Sequence, residues 1–248
     1  LEMFLHGLRL LDAGEVICFG ADGRPYAFDS TKIGKRAVDL EKQTCVLPGK
    51  IKPLDMGYKL ITRTDGQSII LTAEFEKPID WKIIMNAMLK LEIYSKEYRG
   101  KTYFGGTDSG YFSERYQGKT ALVRSAKEIS VAPEDSLRAF RLTSEDADLR
   151  LVDGRSTASH AGFVVFASLP RSTAQKAFSL RITPRIDLSW RSLPVIEVSQ
   201  VGYHPGQKKI AVIELDAWTF GIEEVKVSLL DQDGQMKPVK MGKPVEWG

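Results

Sequence analysis

The chain has 248 residues, of which 43% are hydrophobic and 27% are charged, with a formal net charge of +3 at pH 7. Such a composition is that of an ordinary folded protein, long enough to bury one large core or two modest ones. The 35 basic residues are nearly balanced by 32 acidic ones without long runs of like charge, and no apolar run could cross a bilayer, so we expect neither a nucleic-acid partner nor a membrane span.

Asp-Gly pairs between apolar runs predict three hairpins along the chain. They lie in ICFGADGRPYAFD (17–29), in YKLITRTDGQSIILTAEFE (58–76) and in VKVSLLDQDGQMKPVKM (225–241). Asp-Gly flanked by β-rich segments is a strong signal for a tight turn between antiparallel strands. We therefore expect antiparallel meanders, and the turn explains DQDGQ without a calcium site.

The segment 80–94 is the one candidate for a helix. Ile84, Met88 and Leu91 recur at helical spacing, but the end of the segment, LKLEIY, alternates as a strand does. We favour a strand with a short helical lead-in.

Short strand candidates separated by turn residues follow as far as FSLRITP (178–184). Their short length and close spacing predict an all-β sandwich rather than βαβ units.

Two cysteines, Cys18 and Cys45, lie inside strand-like runs. Their spacing fits neither a zinc knuckle nor a redox CxxC motif. Two buried free thiols and a disulfide both remain open. His160 follows Asp153 and Arg155, but no nucleophile motif flanks it, and we expect an exposed loop histidine.

The segment YSKEYRGKTYFGGTDSGYFSERY (94–116) is rich in aromatic residues and glycines. Aromatic rings stack on the apolar faces of sugars, and flanking polar groups bind sugar hydroxyls, so an exposed loop here would suit a glycan. The candidate glycan-binding residues are Tyr98, Tyr103, Phe104, Asp108, Tyr111 and Tyr116. Alternatively, alternate aromatics belong to the core and the glycines form hairpin turns.

Polar residues and Pro194 interrupt the strand pattern near 187–195 and indicate a domain boundary. We expect a large antiparallel β-sandwich over 1–190 and a second domain over 194–248. The second stretch holds about four strands, whereas a complete immunoglobulin-like sandwich has about seven strands over about 100 residues. The predicted second domain is thus an incomplete immunoglobulin-like β-sandwich.

The stretch PVIEVSQVGYHPGQKKIAVIELD (194–216) resembles the first two strands of the immunoglobulin-like domain that precedes the catalytic barrel in glycoside hydrolase family 9. The resemblance rests on Gln200-Val201-Gly202-Tyr203, then Pro205, then Lys209 at the start of an alanine-containing strand. Ser199 stands where the family most often has Asn. The likeness covers about the last 55 residues and involves no catalytic motif.

This resemblance implies a secreted, periplasmic or cell-surface bacterial enzyme of the cellulase or endoglucanase kind. In the family, an (α/α)6 barrel hydrolyses β-linked polysaccharide with inversion, using a carboxylate base and a carboxylic acid. The barrel would follow Gly248 in the same parent chain, so we expect no catalytic residue, metal or cofactor in this chain. Asp12-Ala13-Gly14 begins like the family's Asp-Ala-Gly-Asp base motif, but Glu15 follows and we assign it no role.

The alternative is a self-contained glycan-binding or surface-interaction module, with polysaccharide as its partner. It requires the aromatic segment to be exposed and the second domain to be completed by another chain.

Overall fold

The chain is nearly all β, with antiparallel strand pairing, which confirms the predicted fold class. The computed structural model describes residues 2–26, 34–118, 121–156, 162–171, 177–216, 222 and 224–246. The chain divides into two compact units, unit 1 (Leu1–Leu188) and unit 2 (Ser189–Gly248). Among the described residues, no helix is both long and apolar enough to cross a membrane.

Unit 1 is a β-sandwich whose described residues also form one short α-helix, α1 (Ser95–Tyr98), and two 3-10 helices, Lys52–Leu54 and Gly154–Ser156. Its strands are β1 (Met3–Leu5), β2 (Leu8–Gly20), β3 (Pro25–Tyr26), β4 (Ala37–Asp39), β5 (Thr44–Ile51), β6 (Met56–Asp65), β7 (Ser68–Phe75), β8 (Ile84–Ile93), β9 (Thr102–Gly105), β10 (Asp108–Tyr111), β11 (Ala121–Ala126), β12 (Glu128–Val131), β13 (Phe140–Thr143), β14 (Asp148–Asp153), β15 (Phe163–Ser168) and β16 (Ala177–Pro184).

These strands form two antiparallel sheets. The seven-stranded sheet has the order β1-β2-β8-β15-β14-β11, and β3 pairs with β2. The nine-stranded sheet has the order β10-β9-β12-β13-β16-β7-β6-β5-β4, so β10 lies at one edge and β4 at the other.

The core lies between the sheets, and strands such as β9, β12, β13 and β16 contribute alternate residues to it. In β16 burial alternates along the whole strand, with Phe178, Leu180 and Ile182 buried. Leu89 and Leu91 of β8, in the other sheet, belong to the same cluster of buried side chains. This period of two is what a half-buried strand requires, and it explains why the short alternating runs could be recognised as strands.

The predicted tight turns are present in unit 1. Asp65 pairs with Ser68 across a two-residue loop, and Gly66 at its first position has a φ of +59°. A positive φ at that position alone is typical of a type II′ turn, which favours glycine. The predicted helical lead-in at 80–94 is wrong: β8 is preceded by turns, and Asp80 caps them by accepting a hydrogen bond from the Lys82 amide at 3.0 Å.

Both cysteines are free, Cys18 buried on β2 and Cys45 half-buried on β5, in different sheets. Burial raises the pKa of the Cys18 thiol to about 12. Of the two interpretations left open, the structure selects free thiols, although Cys45 is less buried than predicted.

Unit 2 contains two separate hairpins. Strands β17 (Val195–Val198) and β18 (Ala211–Glu214) form one two-stranded sheet, and β19 (Val225–Leu230) and β20 (Met236–Gly242) form the other. The predicted Asp-Gly turn joins β19 and β20, and the Asp231 carboxylate caps it by accepting hydrogen bonds from two backbone amides. None of the residues described in unit 2 is fully buried.

Candidate functional site

The aromatic segment folds as a hairpin at the edge of the nine-stranded sheet. Strands β9 and β10 pair from Thr102 opposite Tyr111 to Gly105 opposite Asp108. Gly106 opens the turn between them with a φ of +58°, and a Cβ atom there would lie 3.1 Å from the carbonyl oxygen of Ser125. The segment is therefore a strand pair, as the alternative with core aromatics and glycines in hairpin turns predicts, and not an irregular surface loop.

Two of the predicted glycan-binding residues are buried. Tyr98 is 0% exposed and Tyr103 is 2% exposed. Tyr98 donates its hydroxyl to the Arg138 carbonyl at 3.0 Å, and its ring centre lies 6.0 Å from that of Phe112. Burial raises the pKa of both tyrosines. The assignment of Tyr98 and Tyr103 to a sugar-stacking surface is corrected: their rings contribute to the core.

Glycines make room for these buried rings. A Cβ atom at Gly110 would lie 2.9 Å from Cζ of Tyr103, its cross-strand partner, and one at Gly105 would lie 2.7 Å from Cγ1 of Val123. In the glycan-binding interpretation these glycines shape a surface loop. They lie instead within β9 and β10, where only a residue without a side chain leaves space for the neighbouring group.

The other three aromatic residues are exposed: Phe104 at 50%, Tyr111 at 57% and Tyr116 at 39%. Phe104 pairs with Ser109, and Tyr111 lies two residues further along β10, so the pairing register places both rings on the outer face of the sheet as diagonal neighbours. Tyr116 lies in the segment that follows β10. An aromatic surface therefore exists at this edge, and it is smaller than predicted.

The carboxylate of Asp108 is bound by Arg124 of β11. Arg124 donates from its backbone amide at 2.9 Å and from Nη2 at 2.9 Å. These hydrogen bonds, together with the charge of Asp108, raise the pKa of Arg124. Asp108 is oriented toward the neighbouring strand, so its predicted contact with sugar hydroxyls would compete with this pair.

Arg155 anchors the segment that follows β10, a role that sequence reasoning missed. Its guanidinium donates to the carbonyl oxygens of Ser113 at 2.9 Å and Glu114 at 2.7 Å. It also lies 4.7 Å above the ring centre of Phe163, a distance typical of a cation–π contact. Hydrogen bonds to Asp153 raise the pKa of Arg155, and the guanidinium thus holds the segment with a permanent charge.

A cavity of about 170 Å³ opens beside Tyr111 at this edge. Its walls combine aromatic rings, hydroxyl groups, an amide and a carboxylate, from Tyr103, Ser109, Gly110, Tyr111, Ser113, Gln117, Leu122 and Asp153. Such a mixture of ring and polar groups suits a small polar ligand, a sugar among them.

The sequence also singled out Asp12 and His160. Asp12 lies on β2 and forms an ion pair with Arg9 at 2.7 Å. His160 is outside the described residues. Within the described ranges, no group of three or more His, Cys, Asp or Glu side chains could hold a metal ion.

No protein-family model matches the sequence, and no curated protein sequence matches it.

Proposed function

We propose that this chain is the non-catalytic N-terminal part of a glycoside hydrolase family 9-like enzyme that hydrolyses β-linked polysaccharide. In this proposal unit 1 is an accessory sandwich, and unit 2 begins the immunoglobulin-like domain that supports the catalytic (α/α)6 barrel. The observation that carries the proposal is the exposed apolar surface of unit 2: the first hairpin has an apolar face on which Ile196 and Val198 are more than half exposed, and the second hairpin exposes apolar side chains among lysines.

The residues that carry the family resemblance form a hydrogen-bonded connection between β17 and β18. Gly202 has a φ of +77° and donates its amide to the Ser199 carbonyl at 3.1 Å, which turns the chain. The Tyr203 hydroxyl then donates to the Ile210 carbonyl and accepts from the Ser199 amide. Gly202 turns the chain and Tyr203 holds the turn, so the two residues act together. This shared structural role supports the resemblance.

The first hairpin has one wholly apolar face. Ile196 pairs with Ile213 and Val198 pairs with Ala211, and side chains of directly opposed residues lie on the same face. The other face mixes Val195 and Val212 with two glutamates. An apolar face next to a mixed one is typical of a strand pair that packs on a second sheet on one side only.

The second hairpin is also rich in exposed apolar side chains. Val227, Leu229, Leu230, Met236, Val239 and Met241 are each more than half exposed. Isolated two-stranded hairpins are marginally stable in water, and exposed apolar strands invite pairing with other chains. Further strands and a barrel of the parent enzyme would cover these surfaces.

The complete reading frame of the gene tests this proposal. We expect it to run beyond the codon for Gly248 through further strands and then through a helix-rich region with an Asp-Ala-Gly-Asp motif. A stop codon at that point would overturn the proposal.

Substitutions of two neighbouring residues on opposite faces of the first hairpin test whether its apolar face is covered. In the product of the complete reading frame, Ile196→Lys should lower the melting temperature by several degrees, because it puts a charge against a covered apolar face. Val195→Lys, beside Glu214 on the mixed face, is the matched control and should change it little. Equal effects would argue against a covered face.

A second candidate function, a self-contained glycan-binding module, is favoured by the exposure of Phe104 and Tyr111 beside the cavity at the β10 edge. Retention of the 248-residue chain on a gel that contains β-glucan tests it. We expect Tyr111→Ala to weaken retention without lowering the melting temperature. Retention that is unchanged by Tyr111→Ala and by Phe104→Ala would remove this candidate.

A further inference from the structure

We propose that the outer face of the nine-stranded sheet binds a polysaccharide that carries carboxylate groups, that is, a chain of hexuronate units. The site is a row of side chains across four adjacent strands, from Phe104 through Ser130 and Arg141 to Thr183, with Arg185 beside its end. It goes beyond the proposed function, since it concerns what unit 1 binds and not what a catalytic barrel hydrolyses.

The pairing register places the row in line. Phe104 of β9 pairs with Ser130 of β12, Ser130 pairs with Arg141 of β13, and Arg141 pairs with Thr183 of β16. Side chains of paired residues lie on one face, and adjacent strands lie about 4.8 Å apart, so the row spans about 14 Å. This length exceeds one sugar ring, so the row can contact more than one unit of a polymer.

The row lies on the solvent side of the sheet. Its neighbours along the strands, such as Ile129, Val131, Leu142 and Ile182, are buried, whereas Phe104 is half-exposed and Arg141 is exposed. A shallow depression of about 270 Å³ lies along the row, lined by Ser130, Arg141, Thr183 and Arg185 together with apolar residues. Shallow, extended surfaces suit a polymer chain better than an enclosed small molecule.

The charge of the depression selects the class of ligand. Two arginines and no acidic residue line it. Arg141 has a distant ionic partner, Glu128, at 3.8 Å, and among the described residues no carboxylate forms an ion pair with Arg185 within 4.0 Å. A neighbouring depression of about 190 Å³ on the same face also has two arginines, but Glu145 and Asp146 balance them. With Glu128 offsetting Arg141, the depression keeps the net positive charge of Arg185, whereas the charges that line the neighbouring depression balance.

Each residue of the row has a chemical role in this proposal. The guanidinium groups of Arg141 and Arg185 bind carboxylates with paired hydrogen bonds, a geometry that lysine cannot reproduce. The Ser130 hydroxyl exchanges hydrogen bonds with sugar hydroxyls, and so does the Thr183 hydroxyl, which also lies 2.9 Å from the Ser68 hydroxyl. The Phe104 ring stacks on the apolar face of a sugar at the end of the row. Aromatic, hydroxyl and guanidinium groups together favour an acidic glycan over an anion without an apolar face.

Affinity electrophoresis of the 248-residue chain tests the proposal. The gels contain polygalacturonate, polymannuronate, or polygalacturonate whose carboxylates have been chemically reduced to primary alcohols. We expect retention by at least one of the two acidic polymers and none by the reduced polymer, which keeps the sugar chain and loses only the charge. Absence of retention by both acidic polymers would overturn the proposal.

Substitutions in the row identify the residues that bind the polymer. We expect Arg141→Gln and Arg185→Gln each to weaken binding about tenfold, because each removes a charge-assisted hydrogen-bonded pair. Arg141→Lys should weaken it nearly as much, and Phe104→Ser should also weaken it. The matched control is Arg150→Gln, an exposed arginine of β14 in the other sheet, which should leave binding unchanged.

Nonspecific binding of anions is the main competing explanation. Equal weakening by Arg150→Gln, or equally tight binding of single-stranded DNA that does not depend on Phe104, would show attraction by general positive charge and overturn the site. A failure of these tests would leave the proposed hydrolase unaffected, because that proposal rests on unit 2.

Discussion

The guanidinium of Arg155 forms two parallel hydrogen bonds with the carboxylate of Asp153, from Nε to Oδ1 at 2.8 Å and from Nη2 to Oδ2 at 2.7 Å. Both side chains are largely buried, with 14% and 2% of their surface exposed. The same guanidinium binds the carbonyl oxygens of Ser113 and Glu114. One ion pair therefore connects the end of β14 to the segment that forms one wall of the cavity at the β10 edge.

Replacing Arg155 by Gln should destabilise unit 1 by about 3 kcal/mol, because it removes the guanidinium that pairs with the buried Asp153 carboxylate. Calorimetric melting should show a decrease of roughly 6 to 12 °C for a domain of this size. The control is Arg124→Gln, whose guanidinium is exposed in its pair with Asp108 and whose loss should lower the melting temperature much less. Similar decreases for the two variants would contradict the buried-pair interpretation.

Adjacent aromatic residues of β9 should respond oppositely to truncation. Tyr103→Ala removes a buried ring that packs 5.2 Å from the ring centre of Phe112, and should cost about 3 to 5 kcal/mol. Phe104→Ala removes a half-exposed ring and should change stability by about 0.5 kcal/mol or less. Urea denaturation measures both. If Phe104→Ala were the more destabilising variant, the assignment of inner and outer faces would be wrong.

Asp135 should make unit 1 less stable in acid. Burial of its carboxyl group opposes ionisation, but hydrogen bonds from Lys101 and the Leu137 amide, with the charges of Lys101 and Arg138, outweigh burial and hold its pKa below the ordinary value of 3.8. A carboxyl group whose pKa is lower in the folded state stabilises the protein above the unfolded pKa. That contribution is lost as the pH falls through the folded pKa, below 3.8.

Asp135→Asn should therefore lower the melting temperature near pH 7 by an amount that corresponds to roughly 2 kcal/mol. The difference from wild type should shrink as the pH falls below 3.8 and the wild-type carboxylate becomes protonated. Asp148→Asn, in an exposed pair with Lys127, is the control and should have a small effect at all pH values. A difference for Asp135→Asn that grows in acid would have the wrong sign.

The two thiols should differ in reactivity. Cys18 is buried with a pKa of about 12, so almost none of it is thiolate near neutral pH, whereas Cys45 is partly accessible. Iodoacetamide should alkylate Cys45 in the native protein, and should alkylate Cys18 only in denaturant. Mass spectrometry of tryptic peptides measures this. A peptide pair joined by a disulfide, or equal labelling of the native thiols, would contradict the structure.

Local chemistry made the turns and strands predictable from the sequence. Asp65-Gly66 specifies its own turn, and the alternation at 178–184 specifies a half-buried strand, since both signals act within a few residues. Local patterns did not predict which aromatic rings of the segment 94–116 are buried. A shift of one residue in strand pairing exchanges the two faces, so Tyr103 and Phe104 were equivalent until the register was known. Gly110, directly opposite Tyr103, was the available signal.

Contacts between distant residues explain what was missed at the candidate site. Arg155 binds Ser113 across 42 positions of sequence, and no local pattern indicates such a pair. The row from Phe104 to Thr183 likewise comes from four strands and exists only in the register of the sheet. Tyr203 is part of the stretch that carries the resemblance, and its hydroxyl contacts with Ser199 and Ile210 could not be predicted from that stretch.

The most direct measurement is the hydrolysis of a soluble β-glucan by the product of the complete reading frame, followed by proton NMR of the newly formed reducing ends. We expect release of sugar whose new anomeric centre is initially α, the inverted configuration, as two carboxylates acting on opposite faces of the sugar produce. No release above the blank, or a new anomeric centre that is initially β, would contradict the assignment to a family 9-like hydrolase.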